Sequence, residues 1–263
     1  MPYSNKSCGN TLRHSVTNRF FLPAETLNND EITFPPEVGR QINRVLRLKA
    51  GTHVVVLDNR GLQADVELTE VSSERVTGRI LQRAPASGEP DARLTLYLGL
   101  TQREKFEWML QKCTEVGAAV FVPLVTQRSL VQHGEEVERK RARWEAILRE
   151  ASEQCGRGRI PELHPALQWK GAVEDAVNSH DLVVVAWEGE HILGLRTALA
   201  GLRGRSAPKL AIMIGPEGGL SEEEIIFARA ADVKALSLGA RILRMETAAV
   251  VAAALALEAL EPD

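Results

Sequence analysis

The sequence has few cysteines, and none has the spacing that binds metal or supports redox chemistry. Its 263 residues include three cysteines, Cys8, Cys113 and Cys155, and no C-x-x-C pair. A zinc knuckle and a thioredoxin-type site both need closely spaced cysteines, so neither is expected. We therefore expect no metal site, and we expect a reducing, cytosolic compartment.

The sequence also lacks a long hydrophobic run. The longest apolar stretch, 248–257, is followed by Glu258 and is far shorter than the roughly 20 residues that span a bilayer. Residues 1–15 are polar and lack the apolar segment of a signal peptide. These absences predict a soluble, cytoplasmic protein that makes no membrane contact.

Neither the charge nor the aromatic content is typical of a nucleic-acid-binding protein. The formal net charge is -3, and aromatic residues make up 5% of the chain. An RNA substrate is still compatible with these totals, because binding depends on where charges cluster rather than on their sum. The 44% of apolar residues is enough for an ordinary globular core.

The first third of the chain has the pattern of a small β domain. Alternating apolar residues predict strands at 19–22, 52–58, 63–69 and 75–81, with a turn at 59–61. Pro35 and Pro36 start a short helix whose apolar residues share one face, namely Val38, Ile42, Val45 and Leu46. Short strands with tight turns favour a small barrel, and the break at 84–90 marks a domain boundary.

From residue 93 onward strands alternate with helices, which predicts an α/β domain with a parallel sheet covered on both faces. The predicted strands are 93–98, 119–125, 181–186, 209–214 and 233–238, and the clearest helices are 104–116, 139–155 and 247–260. The last helix is rich in alanine and apolar nearly all round, so we expect it to be buried.

Ligands of open α/β sheets bind beyond the carboxyl ends of the strands, and three such ends are distinctive here. Ile214-Gly-Pro-Glu-Gly-Gly-Leu220 could approach a ligand closely through its glycines, or it could be only a tight turn. The following Ser221 and Glu224 form a capping box, and three glutamates in that first helical turn would repel phosphate. A neutral or cationic nucleotide-like ligand, such as S-adenosylmethionine, fits better.

The other two strand ends carry charge. Residues 238–247 place Arg241, Arg244 and Glu246 before the last helix, where they could serve a ligand or form an ion pair that only caps the helix. Residues 186–190 could be a third ligand-binding turn or an ordinary surface turn.

Several segments, in their order and spacing, carry a family resemblance. They are RFFL at 19–22, RVLRLKAG at 44–51, Lys105 with Gln111-Lys112 and EVG at 115–117, EQCGR at 153–157, IGPEGG at 214–219 and LGARILRMET at 238–247. Together they resemble the 16S ribosomal RNA uracil-N3 methyltransferase family of the SPOUT superfamily. The sequence departs from that pattern at Gln41, where a histidine is usual, and at Ala240 and Met245, where proline and threonine are common.

The resemblance implies a PUA-like RNA-binding barrel, assigned to 1–86, and a methyltransferase domain, assigned to 91–263, with a C-terminal trefoil knot. It also implies a homodimer, a ribosomal RNA substrate in the small subunit, and S-adenosylmethionine held by the knot loops. The cofactor-binding residues would then be Ala186, Trp187, Glu188, Ile214, Gly215, Pro216, Glu217, Gly218, Gly219, Leu220, Leu238, Gly239, Ile242, Leu243 and Thr247.

Uracil N3 lies between two carbonyls, so losing its proton spreads negative charge onto both oxygens. A guanidinium aimed at them would stabilise that anion, and we assign this role to Arg244 or, second, Arg241. Glu246 could act as a base or could position its neighbours. The target base must also leave its stack, which requires a grip on phosphates. The candidate RNA contacts are Arg19, Arg47, Lys49, Arg103, Lys105, Arg128 and Arg157.

Three other functions remain open on the sequence alone. The fold could belong to a non-catalytic RNA-binding assembly protein, to an α/β enzyme that uses an adenine nucleotide, or to a transfer-RNA ribose 2′-O-methyltransferase. The intact loops at 214–220 and 238–247 argue against the first, and the glutamate-rich helix start argues against ATP.

Overall fold

The chain divides into two units in the structure, a computed structural model that describes residues 18–129 and 134–261. The first unit comprises 18–58 and 62–84, and the second comprises 59–61 together with the described residues from 85 onward. Cys8 and the polar segment 1–15 lie outside the described residues.

The first unit is built on a five-stranded sheet with the order β1-β3-β4-β5-β2. Its strands are β1 (Arg19–Phe21), β2 (Glu31–Thr33), β3 (His53–Leu57), β4 (Leu62–Val71) and β5 (Val76–Pro85). β1 pairs with β3 in parallel, whereas β3 pairs with β4 and β2 with β5 in antiparallel register. Alternate residues of β4 point inward, as the sequence period predicts, so that Ala64, Val66 and Leu68 are fully buried.

The short helix of this unit shows where periodicity alone was wrong. It begins as α1 (Pro36–Arg40) and continues as a π-helical turn, Gln41–Val45, in which the amide of Leu46 donates to the carbonyl of Gln41. Because a π turn has more residues than an α turn, the apolar face rotates out of register. Ile42 is buried as predicted, but Val45 is 73% exposed.

The second unit contains a seven-stranded sheet with the order β12-β10-β11-β6-β7-β8, and β9 also pairs with β7. Every strand pair recorded for it is parallel, so the predicted α/β class is confirmed. The strands are β6 (Arg93–Gly99), β7 (Val120–Val125), β8 (Glu162–Leu163), β9 (Leu167–Gln168), β10 (Leu182–Ala186), β11 (Lys209–Ile214) and β12 (Lys234–Leu236).

Helices cover both faces of this sheet. They are α2 (Arg103–Val116), α3 (Gly134–Cys155), α4 (Trp169–Ser179), α5 (Leu195–Ala198), α6 (Glu222–Ala230) and α7 (Met245–Leu260). Successive residues of β6 point to opposite faces, so Leu96 packs in the core under α2, α3, α5 and α7, and Tyr97 packs in the core under α4 and α6. None of the helices in the described ranges is long and apolar enough to cross a membrane.

The last helix is only partly buried, which corrects the expectation from its composition. One face of α7 presents small residues to the sheet, and Ala249, Ala252, Ala253 and Ala256 are fully buried there. Small side chains allow close approach of the helix to its neighbours. The opposite face is open, and Leu255 is 50% exposed.

Arg157 is buried and serves the fold. It is 3% exposed, and its Nη2 lies 2.7 Å from Oε2 of Glu89. Its Nη1 donates to the carbonyl of Thr114, which also accepts from the amide of Gly117, and to the carbonyl of Ala118 just beyond α2. The predicted RNA contact at Arg157 is therefore wrong, because every polar edge of this guanidinium faces protein groups.

We expect Arg157→Ala to lower the free energy of unfolding by about 3–5 kcal/mol, because the change leaves Oε2 of the partly buried Glu89 carboxylate without its cation and the carbonyl of Ala118 without its donor. The control is Arg93→Ala, which breaks the exposed 2.7 Å ion pair with Glu162 and should cost less than about 1 kcal/mol. Urea unfolding followed by circular dichroism measures both. Equal losses in the two variants would contradict the structural role of Arg157.

Candidate functional site

A cavity of about 810 Å³ opens at the carboxyl ends of β10, β11 and β12. Three loops enclose it: loop 1 (187–194) follows β10, loop 2 (215–221) follows β11, and loop 3 (237–244) follows β12. Its lining consists of Lys105, Ala186, Trp187, Glu188, His191, Ile214, Gly215, Pro216, Glu217, Gly218, Gly219, Leu220, Ser237, Leu238, Gly239, Ala240, Arg241, Ile242, Leu243, Arg244, Met245, Glu246 and Ala248.

The loops meet because their strands are parallel neighbours. β10 lies between β11 and β12, and the amide of Trp187 donates to the carbonyl of Leu236 over 3.1 Å. The amide of Ser237 in turn donates to the carbonyl of Leu193 over 2.8 Å, which joins loops 1 and 3. On the other side, a Cβ at Gly99 would lie 2.5 Å from the nitrogen of Pro216, so only glycine lets β6 approach loop 2 this closely.

Loop 2 contains a backbone geometry that favours glycine. Gly219 has φ +71°, and a Cβ there would lie 2.6 Å from Oε1 of Glu188 in loop 1. The carboxylate of Glu188 therefore occupies the space that a side chain at 219 would need. Loops 1 and 2 are in direct contact at the cavity wall.

The start of α6 fixes the end of loop 2, as the sequence predicts. Ser221 accepts from the amide of Glu224, and Glu224 Oε2 accepts from the amide of Ser221 over 2.8 Å, which completes the capping box. Glu224 is only 8% exposed, and its Oε1 also accepts from the amide of Gln127 over 2.8 Å. This carboxylate thus ties loop 2 to the segment that follows β7.

The charged side chains around the cavity differ in whether they have partners. Lys105 forms an ion pair with Glu217, and Arg128 Nη1 donates to the carbonyl of Gly218 over 2.9 Å. Arg241 and Arg244 are exposed, and no ion pair within the described ranges holds either of them. The alternative in which they only cap the last helix through Glu246 is therefore wrong.

The structure brings together the predicted catalytic residues and all but one of the predicted cofactor-binding residues. Thr247 is the exception, since it is exposed on α7 and does not line the cavity. The sequence reading missed His191, Ser237 and Ala248 as lining residues. Only their position in the sequence could have indicated them, because each adjoins one of the predicted ligand-binding segments, 186–190 or 238–247.

Apart from Arg157, the predicted RNA contacts remain predictions, and they fall in both units. In the first unit, Arg47 and Lys49 are exposed and Arg19 is half-buried. In the second, Arg103 is exposed and pairs with Glu107 over 3.0 Å. Lys105 lines the cavity, and Arg128 bonds to the carbonyl of Gly218 in loop 2. Of the departures from the family pattern, Ala240 and Met245 line the cavity, and Gln41 is exposed in the first unit.

A family model described as an RNA methyltransferase domain matches residues 88–257, which is more than half of the chain. The chain belongs to this family. The match includes all three loops of the cavity and the start of α7. The cavity at the carboxyl edge of the sheet is the candidate site of this RNA methyltransferase, because ligands of open α/β folds generally bind there.

Individual relatives extend the likeness over both units. Ribosomal RNA small subunit methyltransferase E of Bacillus subtilis is 33% identical over 82% of this chain and 85% of its own length. The Synechocystis protein of that name is 30% identical over 90% of this chain and 76% of its own length. The crystal structure of the Neisseria gonorrhoeae protein bound to S-adenosylmethionine matches with a TM-score of 0.79, 27% identity, and coverage of 91% of this chain and 96% of that one.

We expect Glu224→Gln to lower the free energy of unfolding by about 1–3 kcal/mol, because an amide offers one acceptor oxygen where the carboxylate serves two backbone N–H groups. The matched control is Glu223→Gln in the same helical turn. Its side chain is exposed, and its loss should cost about 0.5 kcal/mol through the helix dipole. Chemical denaturation measures the difference, and indistinguishable midpoints would contradict the bridging role of Glu224.

Proposed function

We propose that this chain transfers a methyl group from S-adenosylmethionine to N3 of a uridine in small-subunit ribosomal RNA. The observation that carries the proposal is the joint position of Arg241 and Arg244, both without an ion-pair partner in the described structure, at a cavity of cofactor size. The family match and the relatives, among them a structure with S-adenosylmethionine bound, support the reaction class.

The cavity suits S-adenosylmethionine in size and in charge. Its volume, about 810 Å³, lies within the range of roughly 300–1,000 Å³ that small-molecule sites occupy. The glycines of loop 2 leave backbone N–H and C=O groups accessible to a flat heterocycle. Next to loop 2, Glu188 and the glutamates that start α6 disfavour an anion and favour a cation. When bound, this cofactor supplies an electrophilic methyl group on a positively charged sulfur.

The remaining chemistry falls to residues of the chain. The Arg244 guanidinium, or second that of Arg241 in the same loop, stabilises the negative charge that develops on the uracil carbonyl oxygens as N3 loses its proton. Both side chains are exposed, so they are accessible to a base that has left its stack. Glu246, half-buried in the first turn of α7, positions loop 3.

The finer architecture and the partners are part of the same proposal. The first unit acts as a PUA-like barrel that binds RNA through Arg19, Arg47 and Lys49. The domain bounds of the chain are 1–86 for this barrel and 91–263 for the methyltransferase domain. The chain forms a trefoil knot at loops 2 and 3, supported by the return of α7 from edge strand β12 to pack against β6 and β11. The exposed apolar face of α7 supports a homodimer, and the name of the Bacillus subtilis relative supports a substrate in small-subunit ribosomal RNA. We place this activity in the cytoplasm.

Incubating the protein with methyl-labelled cofactor and undermethylated small subunits tests the reaction. We expect the label in N3-methyluridine, identified by mass spectrometry of the digested RNA.

We expect Arg244→Ala to lower the single-turnover rate at saturating RNA about 100-fold, because it removes a charge aimed at the developing anion. Arg203→Ala, a change of an exposed arginine away from the cavity, should keep the full rate. A full rate in Arg244→Ala would exclude its role, and label in a ribose would exclude the N3 assignment.

A pair of glycine variants tests the cofactor site independently of RNA. Gly219 and Gly204 both have positive φ, +71° and +74°, but only at Gly219 does a side-chain atom lie within 4 Å of the added Cβ. We expect each change to alanine to cost about 1–2 kcal/mol of stability. Only Gly219→Ala should also weaken binding of S-adenosylmethionine in calorimetric titration, because Glu188 must leave the cavity wall. Equal affinities in the two variants would contradict the placement of the cofactor against loop 2.

A further inference from the structure

Loop 1 is folded around the carboxylate of Glu190. Its Oε1 accepts the amides of His191, Ile192 and Leu193 over 3.0, 2.8 and 3.3 Å. These backbone bonds, chiefly that from Ile192, hold the pKa of Glu190 below its usual value. One ionised side chain thus sets the path of three consecutive peptide groups beside the cavity.

The second oxygen of that carboxylate reaches outside the loop. Glu190 Oε2 lies 2.8 Å from Nη2 of Arg229, whose guanidinium carbon lies 5.3 Å from the centroid of the Trp187 ring. Trp187 lines the cavity, and its ring packs so closely on Gly189 that a Cβ there would lie 2.4 Å from the ring. A single arginine therefore contacts both the aromatic wall of the site and the carboxylate that organises the loop.

Arg229 belongs to a different part of the site. It lies in the last turn of α6, the helix that begins directly after loop 2 and is fixed there by Glu224. Loop 1 is in turn joined to loop 3 through Ser237 and Leu193. Arg229 thus completes a set of contacts that links all three loops, although it does not itself line the cavity.

We infer that Arg229 is a positioning residue for the cofactor, holding Trp187 and the Glu190-centred loop 1 in the shape that binds it. The inference rests on the proposed function for its ligand. The ion pair between Arg229 and Glu190 should add little to the stability of the fold. The side chain of Arg229 is 49% exposed, and ion pairs with an exposed partner contribute little to the free energy of unfolding. Its effect should therefore be local.

The first test needs no ligand. In hydrogen–deuterium exchange of the cofactor-free protein, we expect Arg229→Ala to speed exchange in the peptide covering 187–194 while the melting temperature stays near that of the wild type. Glu190→Gln should act similarly, since its amide group can still accept a loop N–H but lacks the charge that holds Arg229. Arg203→Ala is the control, as an exposed arginine away from the cavity. Unchanged exchange in both loop variants would overturn the inference.

The second test measures binding of S-adenosylmethionine by calorimetry. Arg229→Ala should raise the Kd roughly five- to tenfold, and at saturating cofactor and RNA the single-turnover rate should stay close to that of the wild type. Arg229→Lys should recover part of the loss. Adding Glu190→Gln to Arg229→Ala should raise the Kd less than Glu190→Gln does alone, because both changes remove the contact between Arg229 and Glu190. A wild-type Kd in Arg229→Ala would overturn the inference alone, whereas a wild-type protein that binds no S-adenosylmethionine would overturn the proposed function as well.

Discussion

The parallel pairing of β10, β11 and β12 is the constraint on which the site depends. Parallel strands must all end at the same edge of a sheet, so three segments far apart in sequence are forced into one neighbourhood. The register also aligns the last residues of the three strands, since Ala186 pairs with Ile214 on one side and with Leu236 on the other. The three loops therefore leave the sheet at one level, which is why their backbones enclose a single cavity.

Two further features shape the cavity: the close approach of the backbone at loop 2 and the negative charges beside that loop. Gly99 lets the end of β6 contact loop 2, and Gly219 leaves room for the Glu188 carboxylate. The glutamates that begin α6 place negative charge where many nucleotide-binding folds place phosphate. The carboxylates beside loop 2 therefore disfavour phosphate and favour a cationic group there, while Arg241 and Arg244 place positive charge at loop 3 of the same cavity.

Much of the site could be predicted from the sequence because its signals are local. The capping box at Ser221 and Glu224 and the strands that precede the loops are patterns within a few residues. The errors arose where hydrophobic periodicity does not reveal the hydrogen bonds that decide the outcome. No local pattern shows that Arg157 is enclosed by Glu89 and the end of α2, or that a π turn exposes Val45. The strand predicted at 233–238 ends at Leu236, because Ser237 bonds to loop 1 instead of continuing the ladder.

The arginines of the second unit show why residue type alone cannot assign function. Arg157 is enclosed by acceptors and serves the fold, whereas Arg229 bonds a loop carboxylate and an aromatic ring while half exposed. Arg244 lies at the cavity without an ion pair in the described structure. A guanidinium always carries its charge, so what distinguishes these three is which acceptors the fold has already supplied. Arg244 has no such acceptor in the described structure and lines the cavity where the three loops converge, so the proposed role in binding a substrate rests on its position together with its free charge.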